Sequence, residues 1–255
     1  MIYKITRPEI TAPLFGEWEE TIIWSCLQGI MGSIYADDPS APASAMAMLG
    51  NFAFLAGKPN AELTAFKPEE CRQTYMILVP GNKDLEHMIL HVFGGRAFVI
   101  SRYAIKKEPD CFDRQYLESI VSSLDKDCDL RLIDEPLYHM CASEPWSSDL
   151  VAQFKDYEEY QRLGLGAVIL KDNRIVSGAS SYSRYRDGIE IEIDTREEYR
   201  RRGLACICGA RLILECLDRK LYPSWDAHTR ASVALAEKLG YHYSHTYTAV
   251  EVRGY

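Results

Sequence analysis

The sequence lacks any apolar run approaching the ~18 residues that a membrane span needs. It also lacks a surplus of positive charge, with a net charge of −8 and a sequence pI of about 5.3. The first absence makes a soluble enzyme or binding protein the default and predicts no membrane partner. The second argues against non-specific nucleic-acid binding, which gains affinity by neutralising phosphates with excess Lys and Arg. Low-complexity tracts are absent apart from the short stretch DDPSAPASAMAM, and no internal repeat is found. The opening residues MIYKITRPEITAPLFGEWEE contain no continuous apolar segment of an export signal, so the eight cysteines are expected to be reduced and the protein cytoplasmic. No metal is expected. His87 and His91 are spaced by four, but the intervening MIL supplies no glutamate of a zinc-protease motif, which makes surface or core histidines the better reading.

What is present is a chain of 255 residues, 47% hydrophobic and 26% charged, long enough to bury a sizeable core. The pattern changes near residue 127, which predicts two domains, 1–126 and 127–255. The first reads as an α+β layer: a helix within GEWEETIIWSCLQGIMG, strands at TYMILVP and GRAFVISRYAIK, a helix over NKDLEHMILHVF with Asn82 as its cap and Gly94 at its end, and a helix at FDRQYLESIVSSL. The second alternates: strand DLRLID, helix SSDLVAQFKDYEEYQRLG, strand GAVILKD, a turn at Asp172-Asn173, strand RIVSGASSY, a turn at Asp187-Gly188, strand IEIEIDT, helix GLACICGARLILECLDR, strand YPSWDAH, helix ASVALAEKLG and strand YHYSHTYTAVEV. Strands alternating with helices, joined in places by tight turns, imply an α/β (α+β) fold with a mixed sheet covered by helices.

Ligands of open α/β sheets tend to lie beyond strand ends where a helix begins. The stretch EYRRRGLA, Glu198 to Ala205, occupies such a place. The first amides of a helix have no internal partner and its N-terminus carries partial positive charge, so an anion fits there. Arg200, Arg201 and Arg202 add donors suited to phosphate, and Gly203 and Ala205 allow close approach. In the helix behind, Arg211, Glu215, Asp218 and Arg219 form one polar stripe while the other sides are apolar, the pattern of a buried and firmly held helix. A loop simply solvated by its arginines is the competing reading at this point.

Arg200-Arg201-Arg202-Gly203-Leu204-Ala205 resembles the Arg/Gln-x-x-Gly-x-Gly/Ala signature of GNAT-superfamily N-acetyltransferases, placed as in that family between a strand and a helix. SVALAEKLGY, Ser232 to Tyr241, resembles the family's second signature, and the likeness covers roughly the C-terminal half. The N-terminal half, together with SRYAIKK and PSWDAH, is similar to a two-domain branch that includes the zwittermicin A resistance type. The resemblance implies a C-terminal GNAT fold with an N-terminal α+β domain closing over the acceptor site. It implies acetyl-CoA as cosubstrate, with Ile193 and Thr195 along the pantetheine arm, and Arg200, Arg201, Arg202, Gly203, Leu204 and Ala205 at the pyrophosphate. Thr229 and Ser232 are the further cofactor-binding candidates. The implied activity is transfer of an acetyl group to a primary amine of a small, cationic molecule by direct attack, without an acyl-enzyme. The chain departs from the family where many members have Asn and Tyr: here stand Thr229 and Ala236, and alanine cannot protonate a departing thiolate.

The strand IEIEIDT places Ile189, Ile191 and Ile193 on one face and Glu190, Glu192 and Asp194 on the other. With both faces covered, burial would raise the pKa of a carboxyl group there and suit Glu192 or Glu190 to act as base toward a substrate ammonium. Pairing of these acids with Arg96 or Arg102, or exposure in a groove, is the alternative, and a bulge in the strand would exchange its faces. Cys206 and Cys208 read as small core residues, and Cys141 with His139, taken as lying along a strand, as no nucleophile pair. Among Tyr182, Tyr185, Tyr241, Tyr243 and Tyr247, most read as packing, with one a candidate for the missing acid. Two rivals stay open: a non-catalytic acyl-CoA-binding regulatory protein, and a generic phosphate-binding module.

Overall fold

The structure, a computed structural model, describes residues 1–69, 71 and 73–255. The chain forms two compact units, one of residues 1–102 and 246–255, the other of 103–245.

The first unit contains β1 (Tyr3–Lys4), α1 (Ala12–Phe15), α2 (Thr21–Leu27), β2 (Ser33–Ala36), β3 (Ser44–Leu49), β4 (Phe52–Gly57), α3 (Ala61–Thr64), β5 (Tyr75–Pro80), α4 (Lys83–Phe93) and most of β6 (Ala97–Ile105). α4 starts as its sequence predicts: Asn82 Oδ1 accepts from the Leu85 amide at 2.9 Å, and the helix stops at Gly94. α2 is shorter than its apolar spacing suggests, because Glu20 is in extended backbone and the helix starts only at Thr21, while past Leu27 the chain turns at Gly29 and Gly32 with φ of +64° and +77°. β3 and β4 escape the sequence reading. SAMAML and FAFLAG are apolar at nearly every position and buried on both faces, and so carry no alternation of apolar with polar residues.

The second unit takes the end of β6, then α5 (Arg114–Ser122), β7 (Cys128–Leu132), α6 (Glu135–Ser143), a 3-10 turn at Ser148–Leu150, α7 (Tyr157–Leu163), β8 (Gly166–Lys171), β9 (Arg174–Tyr185), β10 (Gly188–Thr195), α8 (Leu204–Asp218), β11 (Tyr222–Ser224), β12 (Asp226–Ala227), α9 (Arg230–Lys238) and the start of β13 (Tyr243–Arg253). Its sheet runs β11-β10-β9-β8-β7, parallel between β10 and β11 and antiparallel elsewhere, so the expected mixed α/β architecture is present. The β8–β9 turn places Asp172 and Asn173 at φ of +50° and +60°, as a two-residue hairpin requires.

Three expectations need correction. The helix predicted over 147–164 is a 3-10 turn followed, after an irregular stretch, by α7. Asp156 Oδ1 caps the latter by accepting from the Glu159 amide at 2.9 Å, while Leu150, Val151 and Phe154 bury themselves before it. His139 and Cys141 lie on a helix, α6, not a strand; Asp134 caps it and Pro136 stands in its first turn, a start signal the sequence did contain. YPSWDAH is two strands, because the chain leaves β10 after Ser224 and β12 pairs with β6 at Asp226↔Ala104 and Ala227↔Tyr103.

The units divide at 102/103 and 245/246, whereas the sequence pattern suggested a border at 126/127. The physical reason is α5: Leu117 is fully buried among Ile207, Ile213 and Val233, so the segment before residue 127 belongs to the core of the second unit. Conversely β13 runs back into the first unit, where Val250 pairs with Leu78 and joins its core. Leu117→Ala should therefore destabilise the second unit by about 2–5 kcal/mol, the range for a truncated core leucine, measured as a shift of its chemical denaturation midpoint.

Candidate functional site

The polypeptide turns twice through left-handed backbone before α8, at Arg201 (φ +61°) and at Gly203 (φ +83°). Arg200 holds the turn by donating from Nε to the Thr195 carbonyl at 3.1 Å. Arg202 donates to the Glu198 carbonyl at 3.0 Å and lies over the Tyr199 ring at 5.0 Å. Two of the three arginines thus shape the loop, and Arg201 is left exposed. Among the described residues, the amides of Arg201, Arg202, Gly203, Leu204 and Ala205 meet no acceptor. Gly203 is the N-cap of α8 without a side-chain cap, and a Cβ built on it would meet nothing within 4 Å. A row of open donors at the positive end of a helix, with free space before it, is a cradle for an anion.

α8 is held in place as its pattern predicts. Cys206, Cys208, Ala210, Leu212, Ile213 and Cys216 are buried, and the polar stripe is stitched by Arg211 and Arg219, each 2.9 Å from a Glu215 oxygen. Burial pushes the Cys208 thiol up to about 12, and Cys141 likewise, which keeps both as inert core groups. All eight cysteines are free thiols.

The cleft that leads to this cradle comes from β10. Its pairing with β11 covers Gly188↔Tyr222, Ile189↔Pro223 and Glu190↔Ser224; beyond that point, among the described residues, the β11 side of Ile191–Thr195 has no strand against it. Ile189 and Ile191 are buried in the core beneath α8, and Ile193 packs against it with Cδ1 facing Gly209. The register with β9 does shift between Glu190 and Ile191. The extra residue is Tyr182 of β9, however, so β10 keeps its own alternation and its faces are not exchanged.

Glu190, Glu192 and Asp194 lie half-buried on the opposite face. Ser183, Ser180 and Gly178 stand opposite them on β9. This face is covered by the 134–163 segment: Tyr160 OH is 3.0 Å from Ser180 Oγ, and a Cβ on Gly178 would sit 2.5 Å from Leu150 Cδ1. Burial raises the Asp194 carboxyl above its ordinary range, helped by the charge of Asp149, against the bond it accepts from the Thr195 amide at 2.7 Å and the pull of Arg200. Ser224, across from Glu190, is bonded to Tyr185 OH at 3.2 Å. Arg96 and Arg102 are engaged in their own unit, the first with the Gly254 carbonyl at 2.6 Å, the second over the Phe52 ring at 4.8 Å.

The second signature is built as a capped helix. Thr229 Oγ1 accepts from the Ser232 amide at 3.1 Å, and Ser232 Oγ accepts from Trp225 Nε1 at 3.1 Å. Ala236 is fully buried. Tyr241 donates to the Pro223 carbonyl at 2.5 Å and packs edge-on against Trp225, so it is a core residue whose burial raises its pKa well above normal. Tyr185 is also buried and raised to about 12. Tyr243 lies beneath Arg230 at 5.3 Å, and Tyr247 falls in the first unit. His87 and His91 are exposed on α4. Among the described residues no group of three or more His, Cys, Asp or Glu is placed to hold a metal ion, and no helix is long and apolar enough to cross a membrane.

Sequence reasoning missed the recess beside Gly203, lined in part by Ser123, Asp125 and Lys238, and the support that Trp225 gives Ser232. No local pattern marks either, since each depends on elements far apart in the chain.

Residues 12–250 match the family described as GNAT acetyltransferase. The chain is 28% identical over 238 residues to the uncharacterized N-acetyltransferase YdfB of Bacillus subtilis, covering 87% of this chain and 86% of that protein. The crystal structure of a GCN5-related N-acetyltransferase-like protein from Streptococcus suis is similar with a TM-score of 0.91 at 50% identity, over 97% of this chain and 98% of that one. A GCN5-related N-acetyltransferase from Sphaerobacter thermophilus shares the fold, with a TM-score of 0.56 at 13% identity over 99% of this chain and 95% of that one. The chain belongs to the GNAT acetyltransferase family.

The raised Asp194 carboxyl yields a test of the covered acidic face. A carboxyl that is harder to ionise in the folded state than in the unfolded one costs nothing below its ordinary value of 3.8. The cost grows as pH rises toward and through the folded value. Asp194→Asn should match the wild type in stability at the acid end and exceed it progressively at higher pH, as followed by urea denaturation across the range.

Proposed function

We propose that this protein is an acetyl-CoA-dependent N-acetyltransferase that modifies a primary amine of a small, cationic molecule. The observation that carries this reading is the run of five open amides at 201–205 before a buried helix, next to a strand edge left open at 191–195. Acetyl-CoA fits both. Its pyrophosphate suits the amides of Arg201 to Ala205 with Arg200 and Arg202 bracing the loop, and its amide-bearing arm suits the backbone of Ile193 to Thr195. When bound, it supplies an acetyl group activated as a thioester. Thr229 and Ser232 contribute by fixing the start of α9, the first as cap and the second as the partner of Trp225.

The chain's own residues supply the rest. Glu190 and Glu192 stand on the covered face of β10, where a carboxylate attracts a cationic amine and takes its proton, leaving the nitrogen nucleophilic. A backbone N–H near Ile193 is the oxyanion donor in this reading, stabilising developing negative charge on the thioester oxygen. The first unit, an α+β layer, is read as the lid of the acceptor site, in keeping with the two-domain branch that the zwittermicin A resistance type represents. Reduced cysteines suit the cytoplasm. A second reading, a non-catalytic acyl-CoA-binding regulatory protein, is favoured by one observation: the buried Ala236 stands where a proton donor is common.

Two measurements test the proposal. Calorimetric titration should show acetyl-CoA binding to the wild type and none to Gly203→Trp, whose side chain would fill the cradle, with ATP binding weakly to both; no acetyl-CoA binding by the folded wild type would sink the reading. With spermidine as probe amine, Glu190→Gln or Glu192→Gln should slow acetyl transfer by about a hundredfold to ten-thousandfold, the contribution of a positioned base. Acetyl-CoA affinity should stay intact. Binding without transfer to any amine of a broad panel would favour the regulatory protein.

A further inference from the structure

Arg196 follows the last residue of β10 and is anchored by its own amide, which donates to the Val176 carbonyl of β9 at 3.0 Å. Its guanidinium meets the segment between α6 and α7. Nη2 is paired with Glu144, the residue at which α6 ends, and Cζ lies over the Trp146 ring at 5.4 Å. Trp146 in turn donates from Nε1 to the same Glu144 oxygen at 2.9 Å. Nη1 stands 3.8 Å from Glu198, at the head of the turn that leads to the open amides. One side chain thus joins the segment over the acidic face of β10 to the strand end and to the turn. We propose that Arg196 is a positioning residue for the amine acceptor, and that its latch on Glu144 and Trp146 holds the 144–156 segment closed over the face that carries Glu190 and Glu192. The inference rests on the N-acetyltransferase reading above and deepens it by naming what keeps the acceptor side shut.

The segment depends on such a latch because it has little regular structure of its own. Between α6 and α7 it makes one 3-10 turn, Ser148–Leu150, which packs on β9 and β10 with Leu150 against Gly178, opposite Asp194. Those contacts are largely apolar and carry no direction. Among the described residues, the hydrogen bonds of 144–156 otherwise close within the segment or reach α6 and α7, as Ser147 does to the Cys141 carbonyl at 2.9 Å and the Lys155 amide to Glu159 at 2.7 Å. The Arg196 pair is therefore its polar tie to the sheet. An isolated surface ion pair would add little. This guanidinium is different: its side chain is 21% exposed, the indole shields one side of it, and it meets two carboxylates, so the planar fork fixes direction as well as distance. With the latch cut, the segment is closed for only part of the time, and the affinity of a ligand that needs the closed form falls by the closed fraction. A saturating ligand restores closure, so the loss falls on acceptor affinity and not on the rate of the bound complex.

The test compares wild type with Glu144→Ala, Arg196→Ala and the double variant, each checked for folding by circular dichroism, with acetyl-CoA as donor and spermidine as probe amine. Trypsin cleavage after Lys155, whose side chain is exposed, reads the segment directly. Each single variant should raise the KM for spermidine about tenfold, the effect of a closed fraction cut to about a tenth, and leave kcat at saturating amine within about twofold. The double variant should be no worse than either single one, since the same latch is cut. Calorimetric affinity for acetyl-CoA should stay as in the wild type, and cleavage after Lys155 should quicken in all three. Additive effects, an unchanged KM, unchanged cleavage, or a loss confined to acetyl-CoA affinity would each overturn the latch while leaving the N-acetyltransferase reading in place. A folded wild type that binds no acetyl-CoA, or that acetylates no amine of a broad panel, removes that reading and this inference with it, whatever the cleavage shows.

Discussion

Parallel pairing between β10 and β11 lasts three residues, and the arrangement of the candidate site follows from that early parting. A backbone edge released from its ladder carries donors and acceptors that need partners from elsewhere. The chain is pulled away at Trp225, which is buried, donates to Ser232 and packs on Tyr241. The same residue that ends the pairing therefore also steadies the start of α9. The open edge of 191–195 and the capped start of α9 are two results of one packing event.

The second requirement is a rigid α8. An anion site made of amides works only if the helix cannot recede, because mobile donors would have to be ordered when the anion arrives. α8 is buried on nearly all sides, and its polar stripe is tied up in ion pairs, within the helix at Glu215 and to α5 through Asp218 and Arg114. Gly203 alone at the turn combines a left-handed φ with open space around its Cα, so a side chain there would be strained and would occupy the cradle. The arginines that first draw attention in the sequence do less direct work than their number suggests, since Arg200 and Arg202 are tied to carbonyls of their own loop.

The acidic residues of β10 lie on the other side of the strand. The carboxylates of β10 are half-buried on the face that Leu150 and Tyr160 cover, and burial there raises the Asp194 carboxyl above its ordinary range. The tyrosines near by are drawn into structure instead: Tyr241 holds a strand carbonyl and Tyr185 a serine. Their burial keeps them protonated and leaves the role of acid, absent at Ala236, with no committed tyrosine.

Much of this was legible in the linear pattern. The alternation of IEIEIDT assigned the two faces of β10, the apolar helix behind EYRRRGLA announced a fixed N-terminus, and Asn82 announced its helix start, because these are effects of neighbours along the chain. Strands β3 and β4, the break of YPSWDAH into two strands, and the helix α6 were not read. The first are buried on both faces and so lose the alternation that marks a strand, and the others depend on what the segment packs against. By itself the sequence determined the alternation of strands and helices, the facing of β10 and the anion-ready turn before α8. Only the tertiary structure decided where β11 leaves its neighbour and that Ser123, Asp125 and Lys238 share one recess, because those outcomes arise from contacts between elements far apart in the chain, which no local pattern encodes.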